Sequence, residues 1–424
     1  MEKDNIIDYK NPTQNIVKDT LSEFLRESAQ KMLQIAIEEV QSFILSYRDK
    51  KIENGNNRVV RNGYLPERSI QTGIGAVAVK VPRIRDRGEE DIKFTPSLIP
   101  QYMRRTATID VLLPLLYLKG IPTNDFADSF EPILGSKPKN LSPNVISRLK
   151  AEWYEQYLKW RKRDLTNKKY VYFWADGVYL QARMESEKNC ILTIIGADEY
   201  GKKEVIAIDD GIRESKESWN NLLLDLKSRG LSYAPKIAVG DGALGFWGAL
   251  TEQYPTTTRQ RCWVHKTINI LNKLPKNMQH KAKEMLHNIY HADVKEKAEE
   301  ELKKFITVYD AKYPKAAECL VKNKKALLAF YDFPAEHWMH LRTTNPIEST
   351  FATVKHRTRK SKNCFSRSTV VAATYKLFLE AQKRWLPLRG RNRIAQVINM
   401  EKFIDGVNQN EINNDNVIDQ KYVA

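Results

Sequence analysis

The first part of the chain carries hydrophobic residues at intervals of three and four. Between residues 12 and 50 these are Ile16, Leu21, Phe24, Leu25, Met32, Leu33, Ile37, Val40 and Ile44. This spacing is typical of a long amphipathic α-helix. Its apolar side packs on its own domain or pairs with a second copy of the chain, so residues 1–50 are a candidate dimerisation segment.

Residues 51–105 have a different pattern, in which apolar and polar side chains alternate. The stretch TGIGAVAVKVPRIRDR, residues 72–87, predicts a short basic hairpin. Arg83 and Arg85 within this stretch are candidate contacts to DNA.

Helical patterning returns over residues 106–165. The stretch LSPNVISRL begins with Ser142 as a cap and Pro143 in the first turn. A Gly-Ile-Pro break precedes it, which is compatible with a helix-turn-helix DNA-binding domain. Any small helical bundle could carry the same pattern. The candidate DNA contacts on this helix are Asn144, Ser147 and Arg148.

Strand patterning dominates from residue 166 to residue 265. Three apolar runs, YVYFWADGVYL, NCILTIIGAD and KEVIAIDDG, predict an antiparallel meander. A helix, a short strand in KIAVGDG, a second helix and a strand in RQRCWVH follow. This β-β-β-α-β-α-β order predicts a mixed sheet with helices on both sides.

The rest of the chain is predicted to be helical. Residues 266–341 are rich in Lys and Glu and form a helical insertion, and residues 342–404 supply helices that complete the α/β core. The Asn-rich segment 405–424 is expected to be disordered.

Asp176 interrupts an apolar strand, and Asp241 follows another. Burying the Asp176 carboxylate costs several kcal/mol unless a divalent cation, an arginine or backbone donors compensate. Asp241 lies in AVGDGAL, where flanking glycines let a ligand approach closely. The alternative for Asp241 is a structural role as a helix N-cap.

Glu348 lies in the first turn of a predicted helix whose other charged residues are all basic. In TTNPIESTFATVKHRTRK, Asn345 can cap the helix and Pro346 fits its first turn. A capping box would explain Glu348 without any chemistry. Alternatively, Glu348 holds a cation and the basic residues hold a DNA strand. The candidate DNA contacts here are Lys355, Arg357, Arg359, Lys360 and Lys362.

The three carboxylates form an oxygen-rich set of ligands. Such a set suits Mg²⁺, with Mn²⁺ as a substitute. Two ions ~4 Å apart can activate a water or a 3′-hydroxyl and stabilise the leaving oxygen in phosphoryl transfer.

The charge of the chain supports a polyanionic partner. Among 424 residues, 69 are Lys or Arg and 52 are Asp or Glu, a net charge of +17. This surplus favours nucleic acid first and an anionic membrane surface second. There is no apolar run near the ~20 residues that a membrane span needs, and the four cysteines form no CxxC pair. These features predict a cytoplasmic protein and no membrane partner.

Four motifs resemble those of bacterial insertion-sequence transposases of the Mutator type. They are WADGVYLQAR, IAVGDGALGFW, RCWVHK and TTNPIESTFATVKHRTRK, in that order. These transposases belong to the DDE class, whose catalytic core is ribonuclease-H-like. The resemblance implies a ribonuclease-H-like mixed sheet with a helical insertion, preceded by a mainly helical DNA-binding region with a small basic hairpin.

The resemblance also implies roles for individual residues. Asp176, Asp241 and Glu348 match the acidic triad, which would hold two Mg²⁺ ions. Cys262 and His265 match a Cys-x-x-His signature; they and Asn345 are candidate supports of the active site. The implied partners are double-stranded DNA with terminal inverted repeats, target DNA and a second copy of the chain.

Three alternatives stay open at this point. One is a ribonuclease-H-fold nuclease or resolvase that cuts without joining. Another is a non-catalytic DNA-binding regulator derived from a transposase. The third concerns one motif alone: Cys262 and His265 with His287 and His291 could bind zinc, although their spacing exceeds that of usual zinc fingers.

Overall fold

The computed structural model describes residues 39–73, 75–88, 143–180, 189–211, 213–242, 244–360 and 366–411, with shorter stretches and single positions between 27 and 131. The chain divides into two compact units, Met1–Leu149 and Lys150–Ala424. This division falls inside a helix, whereas the sequence pattern places the end of the N-terminal region at residue 165.

The described residues of the N-terminal unit include two antiparallel strand pairs. Its elements are α1 (Glu39–Leu45), β1 (Val59–Tyr64), β2 (Arg68–Thr72), β3 (Gly75–Val79) and β4 (Pro82–Asp86). Strands β2 and β3 form a hairpin, whereas β4 pairs with β1. The prediction that residues 72–87 fold into one hairpin is therefore wrong. The two pairs build separate small cores, one around Ile70 and Val77 and the other around Val59 and Ile84.

Part of the N-terminal prediction falls outside the described residues. This applies to most of the helix expected over residues 12–50 and to most of the helix-turn-helix pattern before Pro143. The helix that begins at Pro143 is confirmed, because α2 spans Pro143–Arg161.

The second unit is organised by a five-stranded mixed sheet. Its strands are β5 (Tyr170–Leu180), β6 (Asn189–Asp198), β7 (Lys203–Gly211), β8 (Ile237–Gly240) and β9 (Thr258–Arg261), in the order β7-β6-β5-β8-β9. The first three strands pair antiparallel, as predicted, while β8 is parallel to β5 and β9 is parallel to β8. Parallel neighbours need crossover connections. Helices α3 (Lys216–Ser228) and α4 (Leu244–Gln253) lie in these connections.

Alternation along β5 divides its side chains between the two faces of the sheet. Phe173 packs in the same core cluster as Trp219 of α3. Trp174 points the other way, and its Nε1 donates a hydrogen bond to the His340 carbonyl at 2.8 Å. Asp176 is two residues further along and therefore shares the Trp174 face.

Two later helices pack on this sheet. They are α11 (Asn345–Lys360), which contacts β5, and α12 (Arg367–Gln382), which contacts β7. The apolar side predicted for α11 is buried at Ile347, Phe351 and Val354. Burial of this side fixes the face on which Glu348 lies.

The region 266–341 is helical, as its pattern predicts. Its elements are α5 (Trp263–Leu271), α6 (Lys276–His291), α7 (Lys295–Tyr309), α8 (Pro314–Val321), α9 (Lys324–Leu327), the 3₁₀ turns Ala329–Asp332 and Ala335–His337, and α10 (Trp338–Leu341). Among the described helices of the whole chain, none has the length and apolarity to cross a membrane.

The strand predicted over RQRCWVH ends earlier than expected. Strand β9 stops at Arg261, and Cys262 is the N-cap of α5. The Cys262 carbonyl accepts a hydrogen bond from the Lys266 amide at 3.1 Å, which begins the helix. Buried Trp263 donates to the Leu327 carbonyl at 2.8 Å, so the insertion fixes this turn.

The C-terminal region also departs from the prediction. Helix α13 (Ile394–Ile398) is followed by β10 (Phe403–Ile404) and β11 (Val407–Asn408), which pair antiparallel. Part of the segment expected to be disordered from residue 405 onward is thus structured. The Gly406 amide donates to the Tyr331 carbonyl at 3.1 Å, and Asn408 is buried. Residues 412–424 lie outside the described part.

Candidate active site

Asp176 and Asp241 lie at the ends of two neighbouring parallel strand segments. Ala175 of β5 is paired with Gly240 of β8, and each aspartate is the next residue in its strand or loop. The Gly177 amide donates to Asp176 Oδ1 at 2.9 Å, and the Gly242 amide donates to Asp241 Oδ1. The sheet register therefore brings two carboxylates from distant parts of the chain to one edge.

The electrostatic environment of Asp176 is strongly perturbed. Its pKa is raised to about 7, chiefly because burial disfavours the charged carboxylate. The nearby charge of His265 and the Gly177 hydrogen bond lower this pKa, while the negative charges of Glu214 and Glu348 raise it. The pKa of Asp176 is thus affected by acidic groups from two other parts of the chain.

Glu348 is held in place from the start of its own helix. The Thr344 hydroxyl donates to Glu348 Oε1 at 2.7 Å, and the Thr344 carbonyl accepts from the Glu348 amide at 3.1 Å. Thr344 rather than Asn345 therefore occupies the cap position, one residue earlier than predicted. Asn345 is exposed at the first residue of the helix, whereas Thr344 is buried beside Glu348.

Cys262 and His265 lie beside Glu348. The Cys262 thiol donates to Glu348 Oε1 at 3.7 Å, and His265 Nδ1 is 3.7 Å from the same oxygen. The Thr344 amide donates to Cys262 Sγ at 3.4 Å. The Cys-x-x-His motif thus spans the first turn of α5 and faces the carboxylate at the start of α11.

His265 is cationic at neutral pH. Burial lowers its pKa, but the neighbouring Cys262 and the negative charges of Asp176 and Asp241 outweigh burial and raise the pKa to about 9. The positive imidazolium therefore faces all three predicted acids.

The ligand atoms of Cys262, His265 and Glu348 lie within 4.8 Å of one another, and no other set of three such residues does so in the described part of the chain. The oxygens of Asp176, Asp241 and Glu348 are therefore spread more widely than 4.8 Å. The alternative zinc site is likewise not assembled. The rings of His287 and His291 lie near Tyr290 on α6, tilted against each other with their centroids 6.0 Å apart.

Glu214 is an acidic neighbour that the sequence reasoning missed. It precedes α3, and the Cys190 thiol donates to its Oε1 at 3.8 Å. Burial and the charge of Asp241 raise its pKa. In sequence Glu214 lies in a polar loop, RESKES, where a carboxylate is unremarkable. The sequence feature that could have indicated a further group near Asp176 is Gly177, because a glycine at this position leaves space for another side chain.

The residues predicted to contact DNA are distributed over both units. Arg83 and Arg85 are exposed on the same face of β4, and Arg148 of α2 and Lys355 of α11 are exposed. The remaining candidates are on α2 or α11 with side chains outside the described part (Asn144, Ser147, Arg357, Arg359 and Lys360), or fall outside it altogether (Lys362).

The chemistry of the donor set fits a hard divalent cation. Asp176, Asp241 and Glu348 offer carboxylate oxygens, the ligands that Mg²⁺ and Mn²⁺ prefer. Fold and site together define an α/β protein with an acidic candidate active site at the edge of a mixed sheet.

Comparison with known proteins identifies the class. A family model described as Transposase, Mutator family, matches residues 1–387. The chain is 50% identical to the transposase for insertion sequence element IST2 of Acidithiobacillus ferrooxidans, over 66% of this chain and 94% of that protein. It is 47% identical to the IS6120 transposase of Mycolicibacterium smegmatis, over 68% of this chain and 88% of that protein.

A more distant relative covers more of the chain. The IS905 transposase of Lactococcus lactis is 30% identical over 81% of this chain and 85% of its own length. The chain belongs to the Mutator family of transposases, enzymes that cleave and transfer DNA. This confirms the resemblance seen in the four sequence motifs.

Proposed function

We propose that this transposase is of the DDE type, with Asp176, Asp241 and Glu348 holding two Mg²⁺ ions, for which Mn²⁺ can substitute. The observation that carries the proposal is the register of β5 and β8, which puts Asp176 and Asp241 side by side. Glu348 joins them electrostatically, because its charge raises the pKa of Asp176. The strand order β7-β6-β5-β8-β9, with its antiparallel meander and parallel pair, supports a ribonuclease-H-like core.

When bound, the ions would lower the pKa of the attacking water or hydroxyl group and would stabilise the leaving oxygen of the phosphodiester. The residues of this chain position the reactants. The three acids hold the site, Thr344 and Cys262 orient Glu348 through their hydrogen bonds, and the His265 imidazolium offsets part of the negative charge. Water attacks first and frees a 3′-hydroxyl, which then attacks target DNA, so no covalent link to protein is required.

We propose that the substrate is double-stranded DNA carrying the terminal inverted repeats of an insertion sequence. The net charge of +17 favours such a polyanion. Exposed Arg83, Arg85, Arg148 and Lys355 are candidate phosphate contacts. Since two element ends must be joined to one target, the acting form is at least a homodimer, working at the bacterial nucleoid.

The decisive experiment is Asp176→Asn in a strand-cleavage assay with Mg²⁺ and inverted-repeat DNA. We expect cleavage to be abolished while binding of the repeat is nearly unchanged. Asp310→Asn is the matched control, because Asp310 is exposed at the end of α7. Cleavage by Asp176→Asn at the wild-type rate would remove this carboxylate from the mechanism.

Strand transfer with precut ends separates a transposase from a nuclease that only cuts. We expect joining of precut ends to target DNA by the wild-type chain and none by Glu348→Gln. Titration with Mn²⁺ separates both enzymes from a non-catalytic regulator, which would not bind the ion.

A further inference from the structure

Glu214 brings a fourth carboxylate to the acidic site from a different part of the sheet. It lies in the loop between β7, which ends at Gly211, and α3, whose N-cap is Ser215. The Ser215 hydroxyl accepts a hydrogen bond from the Ser218 amide at 3.1 Å. This hydrogen bond fixes Ser215, the residue directly after Glu214, and so limits the positions that the Glu214 backbone can take.

A cross-strand pair of β5 and β6 holds Glu214 in place. The Glu214 amide donates to the Tyr179 hydroxyl at 3.3 Å, and the Cys190 thiol donates to Glu214 Oε1 at 3.8 Å. Tyr179 and Cys190 are directly opposite each other in the sheet. One contact fixes the backbone and the other fixes the carboxylate, so the side chain does not project freely into solvent.

Two glycines make room for this arrangement. A Cβ at Gly177 would lie 2.1 Å from Glu214 Oε1, so the carboxylate fills the space beside Asp176. A Cβ at Gly245 would lie 2.5 Å from the Glu214 carbonyl oxygen, so the loop packs closely on the first turn of α4. Gly177 follows Asp176 by one residue and Gly245 follows Asp241 by four. Glu214 is thus seated between the chain segments that carry the two aspartates.

The charges agree with this placement. The negative charge of Asp241 raises the pKa of Glu214, and the negative charge of Glu214 raises the pKa of Asp176. The charge of His265 lowers the pKa of both carboxyl groups. Four carboxylates carry more negative charge than the His265 imidazolium can balance. The four acids are half-buried, and carboxylates grouped in this way repel one another unless a cation or a shared proton compensates.

We propose that Glu214 is a fourth metal-holding residue of the site, seated over Gly177 beside Asp176 and Asp241. This inference rests on the proposed function, because it assigns Glu214 to the same divalent ions. Its oxygen belongs to the ligand type that Mg²⁺ and Mn²⁺ prefer, and its contacts from β5, β6 and α4 fix it before any ion binds.

The test is direct Mn²⁺ binding, measured by calorimetry or electron paramagnetic resonance on the full chain without DNA. Glu214→Gln keeps the shape of the side chain and removes its charge. We expect its Mn²⁺ affinity to fall about tenfold, in the range typical of residues that tune a metal site. Glu217→Gln is the matched control, since Glu217 lies three residues further along the chain in the exposed first turn of α3. We expect it to bind Mn²⁺ like the wild type.

Two comparisons separate this inference from the proposed function. If Glu214→Gln binds Mn²⁺ like the wild type while Asp176→Asn does not, Glu214 is not a ligand although the DDE assignment stands. If Asp176→Asn and Asp241→Asn both retain wild-type Mn²⁺ affinity, the proposed function itself fails.

A charge-preserving variant guards against a purely steric effect. Circular dichroism and inverted-repeat binding verify that each variant is folded. Glu214→Asp keeps the negative charge, and we expect it to bind Mn²⁺ more tightly than Glu214→Gln. Equal weakness of the two variants would overturn the proposal, because charge at this position would then be irrelevant. The Mg²⁺ concentration that gives half-maximal cleavage should rise in parallel for Glu214→Gln.

Discussion

Thr344 and Glu348 are joined twice across the first turn of α11. The Thr344 hydroxyl donates to Glu348 Oε1 at 2.7 Å, and its carbonyl accepts from the Glu348 amide at 3.1 Å. Thr344 is buried and its amide also donates to Cys262 Sγ. One residue therefore caps the helix and orients the carboxylate that the helix carries.

Removing the Thr344 hydroxyl should impair catalysis more than DNA binding. Thr344→Val keeps the volume but leaves Glu348 Oε1 without this donor, so we expect cleavage to fall about tenfold or more. Rates of Mg²⁺-dependent cleavage and affinities for the inverted repeat measure the two effects. Ser349→Ala, at an exposed position of the same helix, is the control. Undiminished cleavage by Thr344→Val would show that Glu348 is oriented without it.

Burial of the apolar side of α11 should stabilise the second unit. Ile347 is fully buried, so Ile347→Ala should lower the free energy of unfolding by about 2–5 kcal/mol. Cleavage should fall as well, because Glu348 is the next residue. Urea denaturation followed by tryptophan fluorescence measures the stability, with exposed Ser349→Ala expected to change it by less than about 0.5 kcal/mol. A loss below about 1 kcal/mol would mean that α11 is anchored elsewhere.

Acid should weaken the fold through His340. Burial lowers the pKa of His340 to about 4, and its Nε2 accepts from the Arg389 amide at 3.0 Å. The folded state therefore binds this proton less readily than the unfolded state, whose histidine has a pKa near 6.5. The free energy by which neutral His340 stabilises the folded state is fully present above pH 6.5 and is lost as the pH falls toward 4. Urea unfolding between pH 7.5 and pH 4.5 measures this loss.

The variant His340→Gln isolates this contribution. Its amide oxygen can still accept from Arg389, yet it does not titrate in this range. We therefore expect stability to fall less steeply with acid in the variant than in the wild type. Identical slopes for the two proteins would exclude His340 as a source of the acid sensitivity.

Phosphate contacts on α11 should appear in the salt dependence of DNA binding. Lys355 lies seven residues after Glu348 and is exposed, so both project from the same side of the helix. We expect Lys355→Ala to weaken binding to all sequences alike and to reduce the salt slope by about 1. Fluorescence anisotropy at several salt concentrations gives the slope. Lys297→Ala on α7 should leave it unchanged; an equal effect of both variants would indicate only the general charge of the protein.

Much of the sheet could be predicted because its pattern is local. The apolar runs that contain Trp174 and Ile194 favour buried strands, and both residues are fully buried in the structure. The cap of α11 was misplaced by one residue because Thr344 and Asn345 are both good cap formers. In the structure the Thr344 amide donates to Cys262, which is distant in sequence, so the local pattern does not reveal this contact.

The pairing of strands in the N-terminal unit shows the same limit. Alternation marks residues 75–86 as extended, but it does not specify the neighbour of each strand. In the structure, Arg58 and Asp86 form an ion pair at 3.0 Å that ties β4 to the start of β1. Such a pairing joins residues that no local pattern connects.

The sequence by itself determined the elements, their order, the basic charge and the four motifs, because periodicity and composition reflect burial and partners directly. Only the tertiary structure decided that Glu214 joins the acids, that Thr344 orients Glu348, and that His287 and His291 stay away from Cys262. Those outcomes depend on how β5, β6, α4, α5 and α11 pack together, and packing distances between remote segments are fixed by the whole core rather than by any single stretch of residues.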